Sequence, residues 1–320
     1  MVQPVSEPPH AALADFTTDP SGNHAQHSRC VCAGKMNVIQ PREPVRPDGL
    51  LGDTTARDYS DKLSKFNAFA QPELRGLIRG LNLKRGMHVL DAGCGTGEAL
   101  NWLLDEVSFS GQVVGVDMSA AHVAAARLHA SPEIQLHSAN LFDDLFEPAS
   151  FDLVWCVNTI NHLTDPLAGA IHLASLLRDG GCLAIGQSSF LPDMYFAWDA
   201  RLERVVNDAV RRYYQDRYDL DEHDLKAVRA VVGILRQTAL QNISVRTVMI
   251  ERMSPLDAAS ESYLKEAIFR GTWGERLRPY LSPADYAELA RLCDSDQSTY
   301  ALRRPDFHFL QAFTLVTGQI

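Results

Sequence analysis

Three glycines at alternating positions follow a carboxylate in the first half of the chain. Residues 89–98 read VLDAGCGTGE, which places Gly93, Gly95 and Gly97 shortly after Asp91. The apolar residues before this segment predict a strand, and the pattern after it predicts a helix. Glycine permits a tight turn and lets bare backbone lie against a ligand, because it has no Cβ atom. We therefore expect a ligand-binding loop at the end of the first strand.

Two carboxylates narrow the choice of ligand. Asp91 stands at the tip of the strand before the loop, where it suits a cationic ammonium group and would repel a pyrophosphate. Asp117 lies 20 residues after Gly97, at the end of the predicted strand 112–116. A carboxylate at that position can accept hydrogen bonds from both ribose hydroxyls. The expected ligand is thus a nucleoside with an amino-acid tail and without phosphates.

The DAGCGTG loop, followed at this distance by VVGVDMS, resembles the class I S-adenosylmethionine-dependent methyltransferases. The small-molecule enzymes of quinone pathways and of natural-product synthesis are the most similar type. The resemblance covers roughly residues 54–250 and a final strand near 307–317. It implies S-adenosyl-L-methionine as the cofactor and an α/β, Rossmann-like fold. Such a fold has a seven-stranded, mostly parallel sheet with an antiparallel last strand and helices on both faces.

The resemblance also implies which residues hold the cofactor. The glycine loop would hold its methionine part, and Asp117 would hold its ribose. Met118 would pack on the adenine, whose edge would lie at Asn140 and Leu141. The implied cofactor-binding residues are Tyr59, Asp91, Gly93, Cys94, Gly95, Gly97, Asp117, Met118, Asn140, Leu141, Val157 and Asn158.

Several of these residues have ordinary structural alternatives, which the sequence leaves open. Asp117 could be the N-cap of the helix that begins near residue 120, although Ser119 is also available for that role. Met118 could belong to the core, Asn140 could be an ordinary loop residue, and Tyr59 could simply pack on the core.

His162 is the candidate catalytic residue. It lies in the segment NTINHL, just beyond the fourth predicted strand. Imidazole can accept a proton near neutral pH, and a base helps when the methyl acceptor is a hydroxyl or a protonated amine. A structural role, either capping the next helix or packing under the cofactor, is left open.

Alternating strand and helix patterns position these residues on one sheet. Repeated alternation of this kind argues for parallel strands covered on both faces. The predicted strands are Met87–Leu90, 112–116, 134–138, Phe151–Val157, Cys182–Gly186, 243–250 and 307–317. The predicted helices include 54–82, 98–107, 120–129 and 166–178, with further helical spacing in 202–213, 225–235 and 255–295.

The chain is expected to divide into a core and a cap. The predicted segments are a flexible arm (1–52), the cofactor-binding core (53–190), a helical cap insertion (191–221), a continuation of the core (222–251), a second helical cap segment (252–300) and a C-terminal core strand (301–320). Aromatic residues in the cap would suit an apolar or aromatic acceptor, or they could attach the cap to the sheet. They are Phe190, Tyr195, Phe196, Trp198, Tyr213, Tyr214 and Trp273.

Composition excludes several other classes of protein. With 30 Lys and Arg against 40 Asp and Glu, the chain carries a net charge of −10, so it is a poor candidate for binding nucleic-acid phosphates. Its six cysteines stand mostly alone in apolar segments, which favours reduced thiols in the cytoplasm. No apolar run is long enough to span a membrane, and the N-terminus lacks a secretory signal. His24, His27, Cys30 and Cys32 lack the second ligand pair typical of zinc, so no metal is expected.

Two rival functions stay open beside methyl transfer to a small molecule. A nicotinamide-dependent oxidoreductase would need G-x-G-x-x-G, whereas this loop is G-x-G-x-G with Asp91 where phosphate should approach. The other rival is a protein that binds S-adenosylmethionine without methylating anything, as a regulatory subunit or a rearrangement enzyme. The sequence does not distinguish it from a methyltransferase, because a fold does not fix its chemistry. The identity of the acceptor and the formation of a homodimer are also left open.

Overall fold

A parallel β-sheet lies at the centre of the computed structural model. The structure describes residues 60–188, 194–196, 199–218 and 227–320. All of these belong to one compact unit, Pro44–Ile320. The predicted arm, residues 1–52, lies outside the described residues, as does Tyr59.

The described strands and helices follow the predicted alternation. The strands are β1 (His88–Ala92), β2 (Gln112–Asp117), β3 (Gln135–Ser138), β4 (Phe151–Val157), β5 (Leu177–Ser188), β6 (Met194–Phe196), β7 (Gln241–Met253) and β8 (His308–Gln319). The helices are α1 (Ser60–Gly80), α2 (Glu98–Val107), α3 (Ala120–Arg127), α4 (Pro166–Ser175), α5 (Ala200–Tyr218), α6 (Ala227–Leu235), α7 (Ala258–Ser262) and α8 (Pro283–Cys293). None of the described helices is both long enough and apolar enough to cross a membrane.

The order of the strands confirms the predicted fold class. Seven strands lie in the order β3-β2-β1-β4-β5-β8-β7, and the short β6 pairs with β8 beyond the end of β5. β8 is antiparallel to both of its long neighbours, whereas β1 to β5 run parallel. The sheet is therefore the seven-stranded, mostly parallel sheet with an antiparallel last strand that the resemblance implies.

Most predicted boundaries agree with the structure, and the largest difference lies between α4 and β5. The helix predicted over 166–178 ends at Ser175, and the strand predicted over Cys182–Gly186 already begins at Leu177. Leu177 pairs with Phe151 of β4, and the register then shifts before Leu153. The sequence hides this early pairing because Asp179, Gly180 and Gly181 interrupt the apolar run.

Two apolar layers cover the sheet. One contains α1, α2, α5 and much of the C-terminal half, with Trp155, Phe309 and Phe313 among its buried side chains. The other packs α4 and α6 against the opposite face, around Leu90 and Ile185. Alternate residues of each strand therefore point to different layers, as a buried parallel sheet requires.

The segments predicted as a cap contain helices, together with additions that the sequence did not indicate. After α7, residues Tyr263–Trp273 are wound as a π-helix, and Gly274–Tyr280 follow as a 3₁₀ segment. β6 lies within the first predicted cap segment, and β7 extends to Met253 inside the second. α8 begins as predicted, with Ser282 as N-cap accepting a hydrogen bond from the amide of Asp285 and Pro283 in the first turn.

The aromatic side chains of the cap that the structure describes mainly pack against neighbours. Trp273 is buried and stacks on Phe269 with ring centroids 5.6 Å apart. Tyr213 and Tyr214 meet edge to face at 5.4 Å. Trp273 belongs to the apolar layer that contains α1 and α2, and Tyr213 and Tyr214 pack against that layer, which favours the alternative in which these residues attach the cap to the core. Phe190 and Trp198 lie outside the described residues.

Arg252 joins β7, α1 and α7 through one guanidinium. Its Nη1 and Nη2 lie 2.8 and 3.0 Å from the two carboxylate oxygens of Glu73, and it also donates to the Phe69 carbonyl and to Ser260 Oγ. The guanidinium carbon lies 4.7 Å from the centre of the Phe69 ring. Both charged side chains are mostly buried, at 13% and 18% exposure. The bidentate, desolvated geometry is of the kind that contributes substantially to stability.

Replacing Arg252 should therefore destabilise the fold. We expect Arg252→Met to lower the free energy of unfolding by about 3 kcal/mol, because the partly buried Glu73 carboxylate would lose its counter-charge. Urea denaturation measures this change. The matched control is Arg270→Gln, which removes an exposed arginine from its i,i+4 pair with Glu266 and should cost no more than about 0.5 kcal/mol. Equal losses in the two variants would contradict the role given to Arg252.

Candidate active site

The carboxyl ends of four adjacent strands bring most of the predicted site residues together. Asp91 lies near the end of β1, Asp117 ends β2, Asn140 follows β3, and Asn158 follows β4. These strands are neighbours in the order β3-β2-β1-β4 and all run parallel. Residues far apart in sequence therefore meet at one edge of the sheet, where open α/β sheets bind ligands.

The glycine loop adopts backbone conformations that only glycine takes without strain. Gly93, Gly95 and Gly97 all have positive φ, at 82°, 53° and 83°. A Cβ atom on Gly93 would lie 2.2 Å from Thr159 Oγ1, so the loop packs tightly under the turn after β4. A Cβ on Gly95 would meet only Leu63 Cδ1, at 3.2 Å. Gly93 is thus required for packing, whereas Gly95 leaves the loop surface open.

Hydrogen bonds hold the loop in place. The Val116 carbonyl accepts from the amides of Gly93 and Cys94 at 2.8 and 2.9 Å. On the far side of the loop, His129 Nε2 lies 2.7 Å from the Thr96 carbonyl oxygen. The Cys94 side chain points into the core and is buried, and burial raises the pKa of its thiol. The loop is therefore preorganised by backbone contacts.

Asp117 links the loop to the end of β2. Its Oδ2 accepts a hydrogen bond from the Gly95 amide at 2.9 Å, and its Oδ1 accepts one from the Ser119 amide at 2.8 Å. His122 Nδ1 lies 3.2 Å from the same Oδ1. The N-cap of α3 is Ser119, whose side chain accepts from the His122 amide. The alternative in which Asp117 caps this helix is therefore wrong.

Asp91 is a buried carboxylate at the base of the loop. It is only 3% exposed, and no hydrogen-bond donor of the described residues contacts its carboxylate. Burial, and then the negative charges of Asp117 and Glu98, raise its pKa to about 8. Glu98 accepts hydrogen bonds from Thr96 Oγ1 and Asn67 Nδ2, at 2.6 and 2.8 Å. Three acids thus surround this loop, and a ligand with positive charge would relieve their repulsion.

The adenine side of the predicted site is more exposed. Met118 is 39% exposed, so the alternative that places it in the core is wrong. Asn140 is also exposed and shapes a turn, because its Oδ1 accepts from the Phe142 amide at 3.0 Å. Leu141 is half-buried against the layer of α4 and α6. The contacts of Asn140 are those of a turn residue, and they leave its predicted contact with the adenine open.

The turn after β4 connects the loop to β5. Asn158 has φ 53°, and its Oδ1 accepts from the amide and the hydroxyl of Ser188 at 2.8 and 3.0 Å. Thr159 Oγ1 donates to the Val157 carbonyl at 3.0 Å and covers Gly93. The sequence does not predict Thr159 and Ser188 as site residues, because neither belongs to a recognisable motif. It does not predict Glu98 either, although Glu98 immediately follows the last glycine of the loop.

His162 lies in the short 3₁₀ turn Ile160–His162, beyond the same strand. Burial lowers its pKa to about 4, and a hydrogen bond with the backbone of Asn158 opposes that shift. The imidazole is therefore neutral at neutral pH. This makes it a weaker base than the sequence suggested, although a neutral imidazole can still accept a hydrogen bond.

Within the described part of the chain, no group of three His, Cys, Asp or Glu side chains is arranged to hold a metal ion. His24, His27, Cys30 and Cys32 lie outside that part.

A family described as a methyltransferase domain matches residues 89–181. These residues include β1, the glycine loop, Asp117 and the turn after β4. Residues 89–181 of the chain are thus similar to a methyltransferase domain. The match confirms the resemblance on which the expected fold and cofactor were based.

Relatives that match part of the chain are also named as methyltransferases. A ubiquinone biosynthesis O-methyltransferase of Bradyrhizobium sp. is 33% identical over 156 residues, 48% of this chain and 53% of that protein. One of Paracidovorax citrulli is 36% identical over 135 residues, 39% of this chain and 55% of that protein. The chain thus spans about half the length of these relatives.

A solved structure is similar over a longer stretch. It is phosphoethanolamine N-methyltransferase 2 of Haemonchus contortus, in complex with S-adenosyl-L-methionine, at 20% identity. The likeness covers 81% of this chain and 57% of that chain, with a TM-score of 0.46. A score of this size supports no inference about substrate.

The raised pKa of Asp91 predicts a pH-dependent loss of stability in the ligand-free protein. An unfolded aspartate ionises near pH 3.9, so between about pH 4 and about pH 8 the folded protein holds a proton that the unfolded chain does not. Stability should therefore fall as pH rises through this window. Asp91→Asn removes the titration and should unfold at a higher urea concentration than the wild type at about pH 9, with a smaller difference at about pH 5. Parallel profiles for the two proteins would show that Asp91 does not titrate in this range.

Proposed function

We propose that this protein transfers a methyl group from S-adenosyl-L-methionine to an O, N or C atom of a small, apolar or aromatic metabolite. The observation that carries the proposal is the pair of carboxylates, Asp91 and Asp117, on either side of a bare glycine loop within a methyltransferase domain. Asp91 is buried beneath the loop, and Asp117 is bound to its central amide.

The charges at this edge of the sheet fit the cofactor. Burial, and then the negative charges of Asp117 and Glu98, raise the pKa of Asp91. A ligand with an ammonium and a sulfonium group would offset the repulsion among these acids, whereas the pyrophosphate of a nicotinamide dinucleotide would increase it. The same charges therefore argue against the rival oxidoreductase. The proposed cofactor-binding residues are those predicted from the sequence: Tyr59, Asp91, Gly93, Cys94, Gly95, Gly97, Asp117, Met118, Asn140, Leu141, Val157 and Asn158.

The bound cofactor supplies an electrophilic methyl group that its own sulfonium charge activates. The residues of this chain then have to bind the cofactor and the acceptor, orient them and exclude water. Asp91 would face the ammonium and Asp117 the ribose hydroxyls. For the latter contact, Asp117 Oδ2 can accept a further hydrogen bond beside that from Gly95, whereas Oδ1 already has Ser119 and His122 as neighbours. The turn at Asn158 and Thr159 would hold the loop at a fixed distance from the acceptor.

The acceptor is proposed to enter between the sheet edge and the cap, residues 191–221 and 252–300. Relatives are ubiquinone biosynthesis O-methyltransferases, which supports a small-molecule acceptor. Tyr213, Tyr214 and Trp273 pack against neighbouring aromatic rings. They would therefore shape the acceptor site indirectly, by holding the cap in place.

We also propose a cytoplasmic location and a homodimer. The four described cysteines are free, and Cys94 and Cys156 are buried, which is typical of proteins in reducing compartments. The edge strand β7 exposes the apolar side chains of Val245, Met249 and Met253, which a second copy could cover. Sedimentation equilibrium tests the dimer.

Cofactor binding should depend on Gly95 in a way that backbone strain alone does not explain. Gly95→Val and Gly180→Val both place a β-branched residue at positive φ, which costs about 1–3 kcal/mol of stability. Gly180 has open space around it and lies near the other end of the sheet, where it bonds to Ile320. Calorimetric titration with S-adenosylhomocysteine should show at least a roughly tenfold loss of affinity for Gly95→Val only. Equal affinities in the two folded variants would remove the loop from the site.

His162 should matter for turnover more than for cofactor binding. If the neutral imidazole accepts the acceptor's proton, His162→Ala should lower kcat by about 10²-fold, while affinity for S-adenosylhomocysteine stays within about twofold. Because its pKa is about 4, the loss should persist from about pH 6 to about pH 9. Release of S-adenosylhomocysteine during turnover with phenolic and amine acceptors is the measurement. Equal losses in binding and turnover would instead make His162 a packing residue.

A further inference from the structure

The Asp117 carboxylate has more hydrogen-bond donors at one oxygen than at the other. Oδ2 accepts a hydrogen bond from the Gly95 amide at 2.9 Å. Oδ1 accepts one from the Ser119 amide at 2.8 Å, and His122 Nδ1 lies 3.2 Å from the same oxygen. An ionised carboxylate offers about four lone-pair positions, two on each oxygen. The described residues therefore occupy both positions at Oδ1 and leave one open at Oδ2.

His122 approaches Oδ1 from a fixed position in α3. An ionised carboxylate only accepts hydrogen bonds, so Nδ1 of the imidazole must carry the hydrogen of this contact. His122 is the third residue of α3, and its amide donates to the N-cap hydroxyl, Ser119 Oγ, at 3.3 Å. The side chains of His122 and Asp117 are only 10% and 13% exposed, which strengthens a hydrogen bond between them. The first turn of α3 thus saturates Oδ1 independently of a ligand.

The open position lies on the side of the glycine loop. Oδ2 is the oxygen bound to Gly95, and a Cβ atom on Gly95 would meet only Leu63 Cδ1, at 3.2 Å. Oδ1 lies toward the first turn of α3, where Ser119 and His122 are both buried. A ligand that lies along the loop would therefore reach Oδ2, whereas Oδ1 is enclosed by buried groups.

One open position accepts one hydroxyl. The sequence predicts that Asp117 accepts hydrogen bonds from both ribose hydroxyls, and that arrangement requires an open position on each of two oxygens or two positions on one. The donors from α3 remove the first possibility, and the Gly95 amide removes the second. The second ribose hydroxyl is then left without this carboxylate.

We propose that His122 is a positioning residue that occupies Oδ1 of Asp117 and thereby restricts the carboxylate to one of the two ribose hydroxyls of the cofactor, bound at Oδ2. The inference rests on the proposed function, because it takes S-adenosyl-L-methionine as the ligand. It adds to that function a residue that determines which part of the ribose is recognised.

The first test compares three ligands on the full-length wild type. They are S-adenosylhomocysteine and its 2′-deoxy and 3′-deoxy analogues, and isothermal titration calorimetry measures their affinities. We expect the analogue that lacks the hydroxyl bound at Oδ2 to bind about tenfold more weakly than S-adenosylhomocysteine, because it loses a hydrogen bond to a charged group. The other analogue should lose less than about threefold.

The second test changes the donor at Oδ1. His122→Ala opens Oδ1 to the second hydroxyl, so removal of either hydroxyl should then weaken binding about tenfold. Alanine is favourable in a helix, so α3 should still form. His122→Asn can place an amide N–H where Nδ1 lies and should keep the unequal losses of the wild type. The matched control is Arg127→Ala in the same helix, where the guanidinium donates to the Leu136 carbonyl at 3.2 Å, and it should also keep them.

The outcomes separate this inference from the proposed function. If the wild type does not bind S-adenosylhomocysteine, the proposed function is wrong and the inference falls with it. If the wild type binds it but loses affinity equally for the two analogues, only the inference is wrong. The same holds if His122→Ala keeps the unequal losses, or if His122→Asn or Arg127→Ala abolishes them. Circular dichroism checks the folding of each variant, and His122→Leu, which also lacks a donor, replaces His122→Ala if the latter does not fold.

Discussion

A carboxyl group that no hydrogen-bond donor of the described residues contacts is buried where β1 meets the glycine loop, and much of the site is arranged around it. Burying an ionised group is unfavourable unless a counter-charge compensates it. Within the described residues, Asp91 has no such compensation and lies close to two further acids, and its raised pKa of about 8 keeps the carboxyl group protonated at neutral pH. A cationic ligand would reduce the repulsion among these acids, which favours its binding there. The loop can form at all because Gly93 lets its backbone pass under Thr159.

Rigidity of the loop and covering of the site come from different parts of the chain. The loop is held by the Val116 carbonyl, by Asp117 and by His129, all within the first half of the domain. The layer that covers α1 comes from the C-terminal half and is fastened by Arg252, which joins β7 and α7 to the carboxylate of Glu73. Separating these tasks would let the covering layer vary while the glycine loop stays fixed.

The structure also gives different environments to two residues that have similar positions in the sequence. Asp117 and His162 both follow a strand at the same edge of the sheet. Asp117 is tied into the loop, because its Oδ2 accepts a hydrogen bond from the Gly95 amide. Burial makes His162 a neutral imidazole with a pKa of about 4, an effect that depends on packing and cannot be read from residue type.

The sequence alone determined the α/β fold class, the strand β4 and the helix α2 to the residue, and the meeting of Asp91, the loop glycines and Asp117. These features depend on local periodicity and on short-range spacing, which a chain carries without its tertiary contacts. Only the tertiary structure decided that β5 begins at Leu177, that Glu98 joins the acids and that Thr159 covers Gly93. Each of these depends on burial or on contacts between distant segments, and the free energies involved arise only when the chain is folded.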